Sequence, residues 1–152
     1  MRAILWTCAV LTGLLLTGGC DAMKGDGGPT EATIVASRAG EARRINAPRR
    51  AVLLSDDEVA NFPIPDLAEL KRQGGPDSVV SVIALGQKPT AGYAVRITGA
   101  RVTAGTLYLR ATVSEPKPGQ AVAQVLTYPY HAAVIVTPPF RDVRWTVTRR
   151  KM

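Results

Sequence analysis

Val79-Val-Ser-Val-Ile-Ala-Leu-Gly-Gln-Lys-Pro-Thr-Ala-Gly-Tyr93 is the stretch whose reading decides the fold. Its first seven residues, Val79 to Leu85, place apolar side chains on both faces of an extended chain. That is the pattern of a strand lying centrally in a sheet with both sides covered. The next eight, Gly86 to Tyr93, read as a rigid loop, because Pro89 fixes its own φ and lacks an N–H, while Gly92 adopts positive φ without penalty. Beyond the loop, Tyr93, Val95 and Ile97 alternate with Ala94, Arg96 and Thr98, so it leads into a half-buried strand with one wet face.

Downstream, the same alternation returns after a turn at Gly105. Leu107, Leu109, Ala111 and Val113 alternate with Thr106, Tyr108, Arg110 and Thr112. Glu115-Pro116-Lys117-Pro118-Gly119 is a second rigid loop. Ala121 to Leu126, Ala132 to Val136 and Val143 to Val147 are expected to complete the sheet, with a break forced by Pro138-Pro139. Upstream, Ala51 to Leu54 reads as the first strand. Ser55-Asp56-Asp57-Glu58 fits a capping box, so a short helix follows and stops at Pro63 and Pro65. Asp66 is expected to cap a second helix, Leu67 to Gln73, closed by Gly74-Gly75.

The expected fold is therefore mainly β (α+β): an antiparallel β-sandwich or partly open barrel. It would have six or seven strands and one or two short N-terminal helices.

The first 47 residues have a different character. Arg2, an apolar run from Ala3 to Leu16, and Thr17-Gly18-Gly19 before Cys20 make up the three parts of a secretory signal, too short to span a bilayer as a stable helix. Small residues directly before a cysteine make this segment resemble a bacterial lipoprotein signal. The resemblance implies cleavage after Gly19 and acylation of Cys20, with palmitate among the attached chains, although Thr17 stands where the family has a large apolar residue. The chain would then be anchored in the cell envelope and face the periplasm, and Asp21 leans towards the inner membrane.

Residues 20–47 are poor in apolar periodicity and read as a flexible tether, leaving residues 48–152 as the folded domain. Cys8 and Cys20 are the only two cysteines, so no disulfide can staple that domain.

The chain carries 19 Lys and Arg against 12 Asp and Glu, a net charge of +7. Much of the excess lies in clusters near the ends. Within the sheet, Arg96, Arg110 and Arg144 all fall on the polar phase of their strands and would form a basic stripe for an acidic partner or an anionic surface. Aromatics are not interleaved with basic residues, which argues against nucleic acid.

Catalytic chemistry is thinly supplied. His131 is the only histidine, no thiol belongs to the folded part, and no Gly-x-Ser-x-Gly elbow or phosphate-cradling loop is present. From Val79 onward the carboxylates are Glu115 and Asp142, in separate loops. No enzyme activity, metal, cofactor or small-molecule substrate is expected.

The order Val-Ile-Ala-Leu-Gly86-Gln-Lys-Pro89-Thr90-x-Gly92-Tyr93-x-Val-x-Ile97, then Pro116-Lys-Pro118-Gly119, then Thr127-Tyr128-Pro129-Tyr130-His131, resembles the PrcB C-terminal domain. That family takes its name from a lipoprotein subunit of a surface protease complex. The resemblance implies a non-enzymatic subunit that binds or stabilises a protease or another envelope protein. Lys88, Pro89, Thr90, Gly92, Tyr93, Pro116, Pro118, Gly119, Tyr128 and Tyr130 would be its contact residues.

A second likeness is confined to one loop. Lys88-Pro-Thr-Ala-Gly-Tyr93 is similar to the Asn-Pro-Thr-Thr-Gly-Tyr loop of chagasin-type inhibitors of cysteine proteases, which insert three loops from one end of a sandwich. Lys88 replaces the Asn, and Pro139-Phe140-Arg141 is a loose stand-in for the third loop. That likeness implies an inhibitor.

Overall fold

The computed structural model describes residues 30–152. The expected signal segment and Cys20 lie outside the described residues. In chain order the elements are β1 (Thr30–Glu31), β2 (Thr33–Glu41), β3 (Arg49–Leu53), α1 (Asp56–Asn61), α2 (Leu67–Arg72), β4 (Ser78–Ala84), β5 (Ala94–Thr103), β6 (Thr106–Glu115), β7 (Pro129–Val136) and β8 (Asp142–Lys151). They form two four-stranded sheets, ordered β1-β5-β6-β8 and β2-β7-β4-β3. The fold is mainly β and matches a sandwich, without a closed barrel.

β4 is buried at every position and lies between β7 and β3, as its two-sided apolar pattern requires. The two faces of β4 belong to different cores. Val80, Val82 and Ala84 join Val59, Leu67 and Leu70 from the helices, while Val79 and Ile83 join Val95, Ile97, Leu107, Leu109 and Val113 from the opposite sheet. The molecule is thus three layers deep: helices, the β4-containing sheet, and the second sheet.

Ser55 caps α1 with both halves of the capping box formed. Asp66 also stands at the start of α2, but it sits in the left-handed region at φ 61 and its side chain makes no capping bond. Pro65 before it constrains the approach of the chain, and the Asp66 carboxylate instead meets Arg38 at 3.4 Å.

Four expectations need correction. Residues 33–41 are not a tether: β2 pairs antiparallel with β7 from Thr33↔Val136 to Glu41↔Pro129. Ile34 packs against the core between the sheets and Ala36, beyond a β-bulge, against the core under the helices, so little apolar surface suffices once β7 supplies backbone partners. Consequently β3, which covers Ala51 to Leu53, is the third strand rather than the first. Residues 121–126 form no strand and are mostly exposed. Finally, β8 joins β6 in parallel, from Thr106↔Asp142 to Glu115↔Lys151, within sheets that are otherwise antiparallel.

Candidate functional site

The loop from Gly86 to Tyr93 is built by backbone contacts before any side chain is considered. Gly86 is buried at φ +70, and a Cβ there would lie 2.6 Å from the Asn46 carbonyl oxygen. Only glycine permits that approach at that angle. The Gln87 N–H then donates to the Asn46 carbonyl at 2.9 Å. Lys88 exchanges two backbone hydrogen bonds with Thr127, at 2.8 and 3.0 Å, and the Ala91 N–H donates to the Ala123 carbonyl at 2.9 Å. The Thr127 hydroxyl donates to the Thr90 carbonyl at 3.0 Å. Residues 86–91 therefore lie alongside residues 123–127.

Gly92 closes the arrangement at φ +90, where a Cβ would sit 3.3 Å from Val122 and 3.4 Å from Pro116. The two proline-rich loops thus meet at one end of the sandwich, where β5 begins and β6 ends. The second loop is tightened at its tip, where the Gln120 N–H donates to the Lys117 carbonyl and the Lys117 N–H to the Gln120 side chain.

Not every expected contact residue is free to touch a partner. Tyr93 packs against the inter-sheet core, and Lys88 Nζ lies 5.5 Å from the centre of its ring. Both therefore brace the loop as well as line it. Pro89, Gly92, Pro118 and Gly119 are exposed, and Thr90 and Pro116 are half-buried. Tyr128 is half-buried, with its hydroxyl 3.5 Å from the Gln87 side chain.

Tyr130 is a correction. It is only 5% exposed and belongs to the core under the helices. Alternation along β7 turns it to the face away from sheet β1-β5-β6-β8. Burial raises its phenol pKa, the nearby Arg38 lowers it, and Asp66 raises it.

Two residues of this surface escape sequence reasoning. Val125 and Leu126 are 51% and 57% exposed beside the loops. They lie in the run Ala121 to Leu126, whose hydrophobicity predicts a strand that does not form. Adjacent apolar residues suit a strand only where both its faces are covered, as in β4; residues 121–126 find no such cover, and Val122 alone among them is half-buried.

The chagasin-like arrangement is not formed. The Arg141 N–H donates to the Gly105 carbonyl at 2.8 Å. That places Pro139 to Arg141 at the far end of the sheet from Lys88 to Tyr93, so three loops do not converge.

His131 faces the opposite sheet, and its Nδ1 accepts from the Ile97 N–H at 3.3 Å. β1 reaches only Arg101 and Val102 of β5, which leaves the Ile97 N–H without a strand partner. The histidine fills that vacancy in the ladder. Burial, and then the Arg96 charge, lower its pKa from 6.5 to about 4, so at neutral pH the ring is uncharged with the proton on Nε2.

Glu115 and Asp142 stand at opposite ends of the β6–β8 ladder, about 30 Å apart at the usual strand rise. They cannot act as an acid–base pair. Among the described residues, no three His, Cys, Asp or Glu side chains gather as a metal site, and no helix is long and apolar enough to cross a membrane. Arg96, Arg110 and Arg144 share the outward face of sheet β1-β5-β6-β8, on three adjacent strands.

A family model described as PrcB C-terminal matches residues 79–136. The matched span runs from β4 to the end of β7 and contains both proline-rich loops. Neither the curated proteins nor the solved structures contain a match to this chain.

Proposed function

We propose, from the match of residues 79–136 to the PrcB C-terminal family model, that the protein is a non-enzymatic subunit that binds and stabilises a partner protein, a protease of the cell envelope. The observation that carries this reading is the exposed apolar pair Val125 and Leu126, set beside two proline-stiffened loops inside the matched span. Exposed apolar side chains next to rigid loops favour docking, because desolvation is gained and little loop entropy is lost. The contact surface on this reading is Pro89, Thr90, Gly92, Pro118, Val125 and Leu126, with Lys88 and Tyr93 as its braces. A stabilising subunit fits better than an inhibitor, since Pro139 to Arg141 lie at the other end.

Anchoring belongs to the same proposal. Acylated at Cys20, the chain would hold a domain whose first strand begins at Thr30. The ten residue steps between them span at most about 35 Å, so the partner would be met close to the membrane.

The test is site-specific photocrosslinking in the native envelope. A crosslinker at Pro89 or Leu126 is expected to capture a protease that one at Asp57, on the helical layer, does not. Equal capture from all three positions, or none from the loops of a folded protein, would overturn the assignment. Palmitate labelling that disappears in Cys20→Ser checks the anchor separately.

A further inference from the structure

The outward face of sheet β1-β5-β6-β8 gathers more charge than the three arginines of the stripe. Register adds Arg101, opposite Tyr108, and Arg150, opposite Ser114. All five arginines are exposed, and among the described residues none takes part in an ion pair. The carboxylates at outward positions of these strands are Glu31 and Asp142, both towards one end.

The arginines are ordered in space. Arg144 stands beside Tyr108, Arg110 is two residues further along β6, and Arg96, opposite Thr112, is one strand over and two residues further again. They therefore descend the sheet on a diagonal, each about 8 Å from the next by strand spacing and rise.

Two guanidinium groups are held in place. Arg101 stacks on the Tyr108 ring with 5.0 Å to its centre. Arg110 lies over Gly99, where a Cβ would come within 3.0 Å of Nη2. Cations held against the sheet lose less entropy on meeting an anion than free side chains do. Thr112, Thr146 and Thr148 stand at outward positions of the same strands, and the Thr98 hydroxyl donates to the Arg110 carbonyl at 3.4 Å. At the β5 margin the face meets a groove between the two sheets, flanked by Arg96 and Arg150 and lined by Ser37, Thr98, Thr112 and Ser114 together with Ala39, Ala94, Val95 and His131.

We propose that this face binds a linear polysaccharide bearing carboxylates, with its charges on the Arg144–Arg110–Arg96 diagonal and its sugar hydroxyls on the intervening threonines. Charge complementarity selects an anion, and the hydroxyl-rich ground selects a hydroxylated polymer. A lipid surface fits less well: the large exposed apolar side chains lie elsewhere than the outward positions of this sheet, and a planar headgroup layer would leave the groove unfilled. Single-stranded nucleic acid would need a row of aromatic platforms, and the one aromatic residue of this face, Tyr108, is already covered by Arg101. The site is independent of the loop surface and does not rest on a protease partner.

The test uses the full chain and a fluorescent polygalacturonate oligomer, with dextran of similar length as the neutral control. Vesicles of phosphatidylglycerol and a single-stranded oligonucleotide serve as competing anions. Binding to polygalacturonate is expected at low salt, weakening as salt rises. The triple change Arg96→Gln, Arg110→Gln, Arg144→Gln should weaken it about 30-fold, at about threefold for each exposed charge contact. Arg43→Gln, Arg44→Gln, Arg72→Gln together remove the same charge elsewhere and should leave binding within about twofold. All six substitutions are at exposed positions, and thermal unfolding checks that each variant is folded.

Equal weakening by both triple variants would reduce the effect to net charge and overturn the proposal. Tighter binding to vesicles or to the oligonucleotide would assign the face to that other class and overturn it as well. Absence of binding to polygalacturonate at low salt would do the same.

Discussion

Replacing Gly86 by alanine tests whether the loop is held by backbone geometry. Two costs are separable. A non-glycine residue at φ +70 is strained by about 1 kcal/mol. The new methyl would also lie 2.6 Å from the Asn46 oxygen, 2.7 Å from the Ala47 carbonyl carbon and 2.9 Å from the Pro48 nitrogen. These are backbone atoms, which cannot rotate away, and relieving such overlap in a packed site costs about 1 to 3 kcal/mol. Separating the two segments also weakens the bond from the Gln87 N–H to Asn46, worth about 1 kcal/mol.

The expected total is about 3 to 5 kcal/mol, a fall of about 2 M in urea midpoint at a slope typical of a small domain. Gly105→Ala is the matched control: its φ is +74, but nothing lies within 4 Å of a Cβ there. It should lose only the conformational part, about 1 kcal/mol. Urea unfolding at neutral pH measures both, and amide exchange at Gln87 reports whether the loop opens locally. If the two variants agree within about 0.5 kcal/mol, steric closure at Asn46 is refuted as the reason for glycine.

Two further perturbations probe the space between the sheets. His131 is neutral in the folded state, with its pKa lowered from 6.5 to about 4, so between those values the unfolded chain binds more protons. Stability from this group is complete above about pH 6.5 and falls on acidification towards about pH 4, by about 3 kcal/mol in all. His131→Gln should flatten that part of the pH–stability curve relative to the parent, and parallel curves would refute it. Ser81 is fully buried, and its hydroxyl has no hydrogen-bond partner. Ser81→Ala should therefore leave the protein as stable as before or raise its stability by up to about 1 kcal/mol in urea unfolding; a loss of that size would mean that the hydroxyl is paired.

The loop surface was legible where its chemistry is local. Pro89, Gly92 and the Pro116 to Gly119 turn carry their geometry in their own residue types, and they lie where the motif predicted. Val125 and Leu126 were misassigned because hydrophobicity alone does not distinguish a strand from an exposed apolar segment. Tyr130 was misplaced for a different reason. Its family motif runs continuously through Tyr128 and His131, but strand alternation sends neighbouring residues to opposite faces.

What the sequence determined by itself was everything of short range. The buried β4 follows from its two-sided apolar run, the alternating β5 and β6 from their period of two, and the capped start of α1 from Ser55 and Glu58. Each depends on side-chain spacing that a single segment carries. The tertiary structure alone decided pairings between distant segments. It placed β2 on β7, ran β8 parallel to β6, brought the two proline-rich loops together and aligned five arginines on one face. Backbone hydrogen bonds are chemically the same along every strand, so local residues do not specify which strand supplies the partner. That choice is made by burial of the whole chain.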